Sequence, residues 1–189
     1  YSGDALYNIS IGTVVPDQQV GCLSPITVTS DAGVGPGSLE DAIANVCPGG
    51  RITFAGDYTI RLFDTLTIDK NLTIDGTGRA VTVSGDLNED GQGDMRVFTV
   101  QAGAAFTLNQ MTVAHGRADN GGGLYNAGTT QITNSTFFSN TATTSGGGIY
   151  NTGTLTMTNS VLTDNASDFM GGGLTNLSNR VALTGDVFS

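Results

Sequence analysis

Three glycine triplets recur in this chain with one fixed period. Gly121-Gly122-Gly123-Leu124-Tyr125-Asn126, Gly146-Gly147-Gly148-Ile149-Tyr150-Asn151 and Gly171-Gly172-Gly173-Leu174-Thr175-Asn176 follow one another at a single constant step, without slippage. Matching segments lie between them. Gln131-Ile132-Thr133-Asn134-Ser135-Thr136-Phe137-Phe138 repeats as Thr156-Met157-Thr158-Asn159-Ser160-Val161-Leu162-Thr163. A period in the range of roughly 20–50 means that one structural unit is stacked on copies of itself, each burying the apolar face of its neighbour.

Each repeat holds three short strand-like pieces, which is the arithmetic of a three-sided coil. Stacking predicts Leu124, Ile149 and Leu174 over one another on one face. Ile132 and Met157 stack on the second face, and Phe137 and Leu162 on the third. Successive coils then pair as parallel strands about 4.8 Å apart. Asn126, Asn151, Asn176, Asn134 and Asn159 fall where the coil turns, and asparagine tolerates left-handed backbone. The glycine triplets allow a further tight corner.

From Arg51 onward the strands read as Ile52–Phe54, Thr59–Leu62, Leu66–Ile68, Leu72–Ile74, Ala80–Val83, Val97–Val100, Phe106–Leu108 and Met111–Val113. They run on into the repeats and end at Asp186–Phe188. The predicted fold is all-β, a right-handed parallel β-helix of about 25 residues per coil occupying residues 51–189.

Residues 22–50 read as a cap on its first coil. Ile26-Thr27-Val28-Thr29 is a strand, and Ser38 to Val46 is the one convincing helix. Ser38 suits the N-cap, and Glu40 and Asp41 suit the positive end of the helix dipole. Leu39, Ala42, Ile43 and Val46 fall on one face, and Pro48-Gly49-Gly50 stops the helix. An uncovered first coil would leave apolar side chains and strand edges bare. Residues 1–21 form a non-repetitive arm in which Ala5, Tyr7, Ile9 and Ile11 alternate with polar neighbours, blurred by Leu6.

Composition narrows the functional classes. Seven Lys+Arg against 17 Asp+Glu give a net charge of −10, which repels nucleic acid and anionic membranes. No apolar run approaches the length of roughly 18 residues that a membrane span needs. Cys22 and Cys47 have no CxxC or Cys/His companions, which argues against zinc. They read either as a disulfide, which fits an exported protein, or as two buried thiols. The chain begins at Tyr1 and not at Met, as expected of a secreted protein whose signal peptide has been removed.

The segments Leu39-Glu-Asp-Ala-Ile-Ala-Asn45, Pro48-Gly-Gly-Arg-Ile-Thr-Phe54 and Asn71-Leu-Thr-Ile-Asp-Gly76 resemble the cap and first coils of secreted bacterial parallel β-helix repeat proteins. The pairing of Gly146-Gly-Gly-Ile-Tyr-Asn151 with Phe137-Phe-Ser-Asn140 is similar to the GGxI and FxxN repeats of polymorphic outer-membrane and autotransporter adhesin passengers. Leu162-Thr-Asp-Asn165 departs from that pattern only in Leu for Phe. The resemblance covers about residues 22–189. It implies a surface location and glycan or cell-surface receptor partners. The fold also hosts polysaccharide lyases and hydrolases.

Asp86-Leu87-Asn88-Glu89-Asp90-Gly91-Gln92-Gly93-Asp94 fits the first half of an EF-hand-type loop. Asp86, Asn88, Asp90, Gln92 (through its carbonyl) and Asp94 are the expected calcium ligands. Position twelve is Val97 and not Glu, so another segment, Glu89 or Asp75, has to complete the shell. Catalysis has little to stand on. His115, the sole histidine, sits in a turn and reads as solvated, and the NTD, GHG and RIK motifs of β-helix polygalacturonases are absent. Thr129, Thr130, Thr154, Thr156 and Thr158 are spread over faces and turns, so they make no flat threonine array.

The last segment, Val181 to Ser189, matches Leu155 to Thr163 and leaves a coil unfinished. Tyr1-Ser-Gly-Asp-Ala-Leu-Tyr-Asn8 matches Thr144-Ser-Gly-Gly-Gly-Ile-Tyr-Asn151, the piece that the unfinished coil lacks. Two expectations follow. In one, the arm (Tyr1, Leu6, Tyr7, Ile9, Ile11) of one copy adds a strand beside Val187 and Phe188 of the next, and the protein polymerises head to tail. In the other, the chain is a piece of a longer solenoid. On sequence grounds the protein is an extracellular structural subunit and not an enzyme. The alternatives are a monomeric adhesin passenger and a carbohydrate-active β-helix enzyme.

Overall fold

The computed structural model describes residues 21–189; the expected N-terminal donor strand falls on residues outside these. The described chain is a parallel β-solenoid of about seven turns. Its longest sheet has seven strands: Ile26–Val28, Gly50–Phe54, Leu72–Asp75, Ala105–Asn109, Thr129–Thr133, Thr154–Thr158 and Val181–Thr184. A six-stranded sheet runs from Tyr58–Arg61 through Val81–Ser84, Thr112–Ala114, Thr136–Phe138 and Val161–Thr163 to Val187–Phe188. A five-stranded sheet stacks Leu66–Ile68, Phe98–Val100, Leu124–Asn126, Ile149–Asn151 and Leu174–Asn176.

The predicted stacks hold in register. Leu124 pairs with Ile149 and Ile149 with Leu174; Ile132 pairs with Met157, and Phe137 with Leu162. Their side chains join one continuous core that runs up the axis, with Phe98, Phe106 and Phe137 fully buried. Along the seven-stranded sheet, one coil carries the chain from Ile52 to Ile74, from Ile132 to Met157 and from Met157 to Leu183. The step from Ile74 to Leu108 is longer than any of these, because the acidic loop is inserted there.

A fourth, three-stranded sheet adds a side that the sequence pattern did not reveal: Arg117–Asn120, Thr141–Ser145 and Ala166–Ser167. These strands are short and polar, and Ala142 alone of their apolar side chains is buried. The glycine triplets explain the geometry. Gly146 has φ +64, in the left-handed region that favours glycine. A Cβ on Gly147 would collide with the carbonyl oxygens of Ala166, Asn140 and Gly172, which belong to the chain of the fourth side and the next coil. The triplet is therefore one left-handed corner followed by close backbone packing.

Asparagine divides into two jobs, which corrects the single turn role expected of it. Asn134 and Asn159 do take left-handed backbone, at φ 50 and 51. Asn126, Asn151 and Asn176 instead end strands and point inward, with Asn126 and Asn151 fully buried. The Asn126 amide Nδ2 donates to Asn151 Oδ1 at 2.6 Å, and Asn151 Nδ2 donates to Asn176 Oδ1 at 2.6 Å. A second pair, Asn140 and Asn165, bonds in the same way at 2.9 Å, and Asn140 Oδ1 accepts from the Gly116 N–H. These polar stacks satisfy backbone groups that the apolar core leaves unpaired.

At the N-terminal end, the helix Leu39–Asn45 covers the first coil as expected. Ser38 is its N-cap, accepting from the Asp41 N–H at 3.1 Å, and Leu39, Ala42 and Ile43 are buried. Lys70 Nζ donates to the Ala44 carbonyl at 2.9 Å, tying the last turn of the helix to the solenoid. Cys22 and Cys47 form a disulfide across the cap, so the free-thiol reading falls.

Candidate functional site

Two places on the solenoid present chemistry that the fold does not consume. The first is the C-terminal coil. Ala166–Ser167, Leu174–Asn176, Val181–Thr184 and Val187–Phe188 are the last strands of the four sheets, so each has a partner on one side only among the described residues. Strand edges of this kind are templates for pairing. Their core positions are open as well. Val181, Leu183 and Phe188 align with Leu155, Met157 and Leu162. The latter are 0, 0 and 1% exposed; the former are 39, 43 and 48% exposed. Phe169, Met170 and Leu177 extend the apolar surface.

Val187, expected at this edge, pairs with Val161 on the outer side of the six-stranded sheet, and Phe188 lies over Leu162 on the inner side. Leu174 and Asn176, expected as members of the repeat, belong to the same end; Leu183 belongs there too and was not singled out by the sequence, although its spacing from Met157 identifies it. Tyr1, Leu6, Tyr7, Ile9 and Ile11 lie outside the described residues.

The second place is the acidic loop, residues 85–96, with the groove it borders. The loop occupies the fourth side of its coil, where Met95 O accepts from the Arg117 N–H at 2.8 Å and so caps the edge of the three-stranded sheet. It is closed by its own side chains. Asp86 Oδ2 accepts from the Gly91 N–H at 2.9 Å and Asn88 Oδ1 from the Asp90 N–H at 3.1 Å. Asp90 Oδ1 accepts from the Gln92 N–H at 2.7 Å, and Asp94 Oδ2 from the Leu87 N–H at 2.8 Å.

Asp86, Asn88, Asp90 and Asp94, four of the five expected calcium ligands, thus each turn one side-chain oxygen to the backbone of the loop. The two completing candidates have ion-pair partners. Glu89 pairs with Arg61 at 3.2 Å. Asp75 is buried against Arg51, and its Oδ1 also accepts from the Thr77 N–H, the Thr77 hydroxyl and Asn109 Nδ2. Among the described residues no three His, Cys, Asp or Glu side chains gather closely enough to hold a metal ion.

Thr59, Thr82 and Thr112 stack along the outer face of the six-stranded sheet and form the floor of the groove, with Arg61, Glu89 and Phe138 at its sides. His115 departs from the solvated turn residue expected of it. It takes left-handed backbone at φ 50, its ring meets the edge of Phe138 at 5.5 Å, and Nδ1 is buried without a hydrogen-bond partner. Asp86 Oδ1 is likewise buried and unpartnered, in a residue only 6% exposed. Both residues line the groove.

On the neighbouring five-stranded sheet, Tyr125 and Tyr150 stack at 5.5 Å and Arg96 lies over Tyr125 at 5.2 Å. Arg96 also donates to the Gly121 and Asn120 carbonyls. Burial pulls its guanidinium below the usual arginine range, opposed by Tyr125 and Asp119. The threonines of the seven-stranded sheet are more ordered than the sequence implied. Thr73, Thr107, Gln131 and Thr156 fall in one outward row, whereas Thr130 points inward to Asn126.

No protein-family model matches the chain, and no curated protein does either.

Proposed function

We propose that the chain is an extracellular structural subunit that assembles head to tail, its open C-terminal coil receiving the N-terminal arm of another copy. One observation carries the reading: the last coil exposes Val181, Leu183 and Phe188 at positions that the coil beneath it buries. Exposed core positions beside four one-sided strands fit the addition of another strand. The arm supplies the matching sequence, since Tyr1 to Asn8 aligns with Thr144 to Asn151. A head-to-tail contact does not close on itself, so it yields filaments. The disulfide agrees with an exported subunit, and among the described residues no helix is long and apolar enough to cross a membrane.

The test is electron microscopy and sedimentation of the purified protein, with and without residues 1–15. Concentration-dependent filaments that disappear on deletion support the reading. Filaments of unchanged number and length after deletion sink strand donation, and so does a full chain that stays monomeric at every concentration.

The groove beside the acidic loop favours a second role on the same scaffold, an adhesive face for surface glycans. Its threonine hydroxyls and exposed Phe138 ring support that role. Neither role assigns catalytic turnover to the chain. Isothermal titration with neutral and acidic oligosaccharides tests the glycan role; no heat at millimolar sugar removes it.

A further inference from the structure

We propose that the arriving strand docks in one register only, the register that sets Asn8 of a second copy over Asn176 and adds one rung to the buried asparagine ladder at the junction. This rests on the head-to-tail reading above and adds what selects the partner segment and its alignment.

The ladder has a direction. Asn126 Oδ1 is its closed start, accepting from the Gly128 N–H at 3.1 Å and the Thr130 hydroxyl at 2.8 Å. From there each amide donates towards the C-terminal end, Asn126 to Asn151 and Asn151 to Asn176. A carboxamide nitrogen has two hydrogens. Asn126 gives one to the ladder and one to the Thr154 carbonyl, and Asn151 gives one to the ladder and one to the Gly153 carbonyl. Asn176 bonds the Ser178 carbonyl with one hydrogen and, among the described residues, has no next coil for the other. The growing end therefore offers a directional donor among apolar side chains. It fits a carboxamide oxygen and leaves a purely apolar residue with an unsatisfied group beneath it.

The leading segment carries asparagine at that place. Aligned on Ile149-Tyr150-Asn151, it reads Leu6-Tyr7-Asn8, which puts Leu6 over Leu174 and Asn8 over Asn176. Two positions depart from the repeat, where Asp4 and Ala5 stand for Gly147 and Gly148. Inside the solenoid neither glycine tolerates a Cβ. Gly147 is hemmed in by Ala166 O, Asn140 O and Gly172 O, and Gly148 by Gly173 O and the Asn165 side chain. All of these atoms belong to the following coil or to the preceding segment of the same coil. None comes from the coil beneath. The coil on which the arm docks contributes none of those nearest atoms, so Asp4 and Ala5 are compatible with this register.

The experiment pairs engineered cysteines with a polymerisation assay. Neighbouring parallel strands place aligned Cα atoms about 4.8 Å apart, within disulfide reach, whereas a two-residue offset takes them to about 8 Å. Tyr7→Cys with Thr175→Cys, which keeps Asn8 and Asn176, is expected on oxidation in the polymer to give a non-reducing gel ladder in steps of the 19.3 kDa subunit. Tyr7→Cys with Leu177→Cys is expected to give none. Asn8→Ala leaves the described solenoid untouched and is expected to raise the critical concentration for polymerisation about tenfold (about 1.4 kcal/mol). Equal cross-linking in the offset pair, or an unchanged critical concentration for Asn8→Ala, overturns the register while leaving strand donation standing. Absence of filaments in the unmodified protein overturns strand donation itself.

Discussion

Asn151 is the middle rung of the ladder, and replacing it by alanine tests how much the polar interior contributes. Its side chain makes three hydrogen bonds: it accepts from Asn126 Nδ2 and donates to Asn176 Oδ1 and the Gly153 carbonyl. Alanine removes all three in a fully buried site. One hydrogen of Asn126 loses its acceptor in that buried site, a cost of about 1–3 kcal/mol. The truncated side chain leaves a small void worth about 1 kcal/mol more. Asn176 is half-exposed, so solvent replaces its lost donor at little cost. The total is roughly 3 kcal/mol, and at about 2–4 °C per kcal/mol for a chain of this size the melting temperature falls by roughly 6–12 °C. Differential scanning calorimetry on Asn151→Ala and the exposed control Asn179→Ala reads the difference. The expected losses are roughly 3 kcal/mol and none beyond about 0.5 kcal/mol. An Asn151→Ala melt within about 2 °C of the Asn179→Ala melt refutes the reasoning that the buried rung matters through its unsatisfied partners.

Three further outcomes follow. Gly147→Ala drives a Cβ into three carbonyl oxygens and is expected to abolish soluble expression or cost more than about 3 kcal/mol, while alanine at Gly103, where a Cβ meets nothing but φ is +91, costs about 1 kcal/mol; chemical denaturation separates them. Asp75→Ala strips Arg51, Thr77 and Asn109 of a shared acceptor and is expected to destabilise by about 3 kcal/mol, with Asp75→Asn recovering part of that in the same assay. Calcium at millimolar concentration is expected to leave the melting temperature unchanged as long as Asp86, Asp90 and Asp94 hold their turn N–H groups; a rise of several degrees that chelator reverses shows that the loop reopens into a cation site.

The stacking of coils was readable because each rung repeats one residue class at a fixed interval: Leu124, Ile149 and Leu174, or Phe137 and Leu162. The helix was readable from its cap and its apolar face. The fourth sheet was not, since Arg117–Asn120 and Thr141–Ser145 lack a run of alternating apolar residues, and their inner side meets glycine backbone. The acidic loop illustrates the other limit. Its spacing matches a calcium loop, yet spacing says nothing about which N–H groups the carboxylates face.

By itself, the sequence determined the period, the parallel stacking and the apolar register, because in a solenoid each contact lies one repeat away and repeat length is visible in one dimension. The tertiary structure decided what depends on direction. It separated the asparagines that turn corners from those that run as a ladder, set Asp86 and His115 on one groove, and left Val181, Leu183 and Phe188 uncovered at the end. Residue type and spacing are the same in either case; the difference lies in which way a side chain faces and whether another coil lies above it.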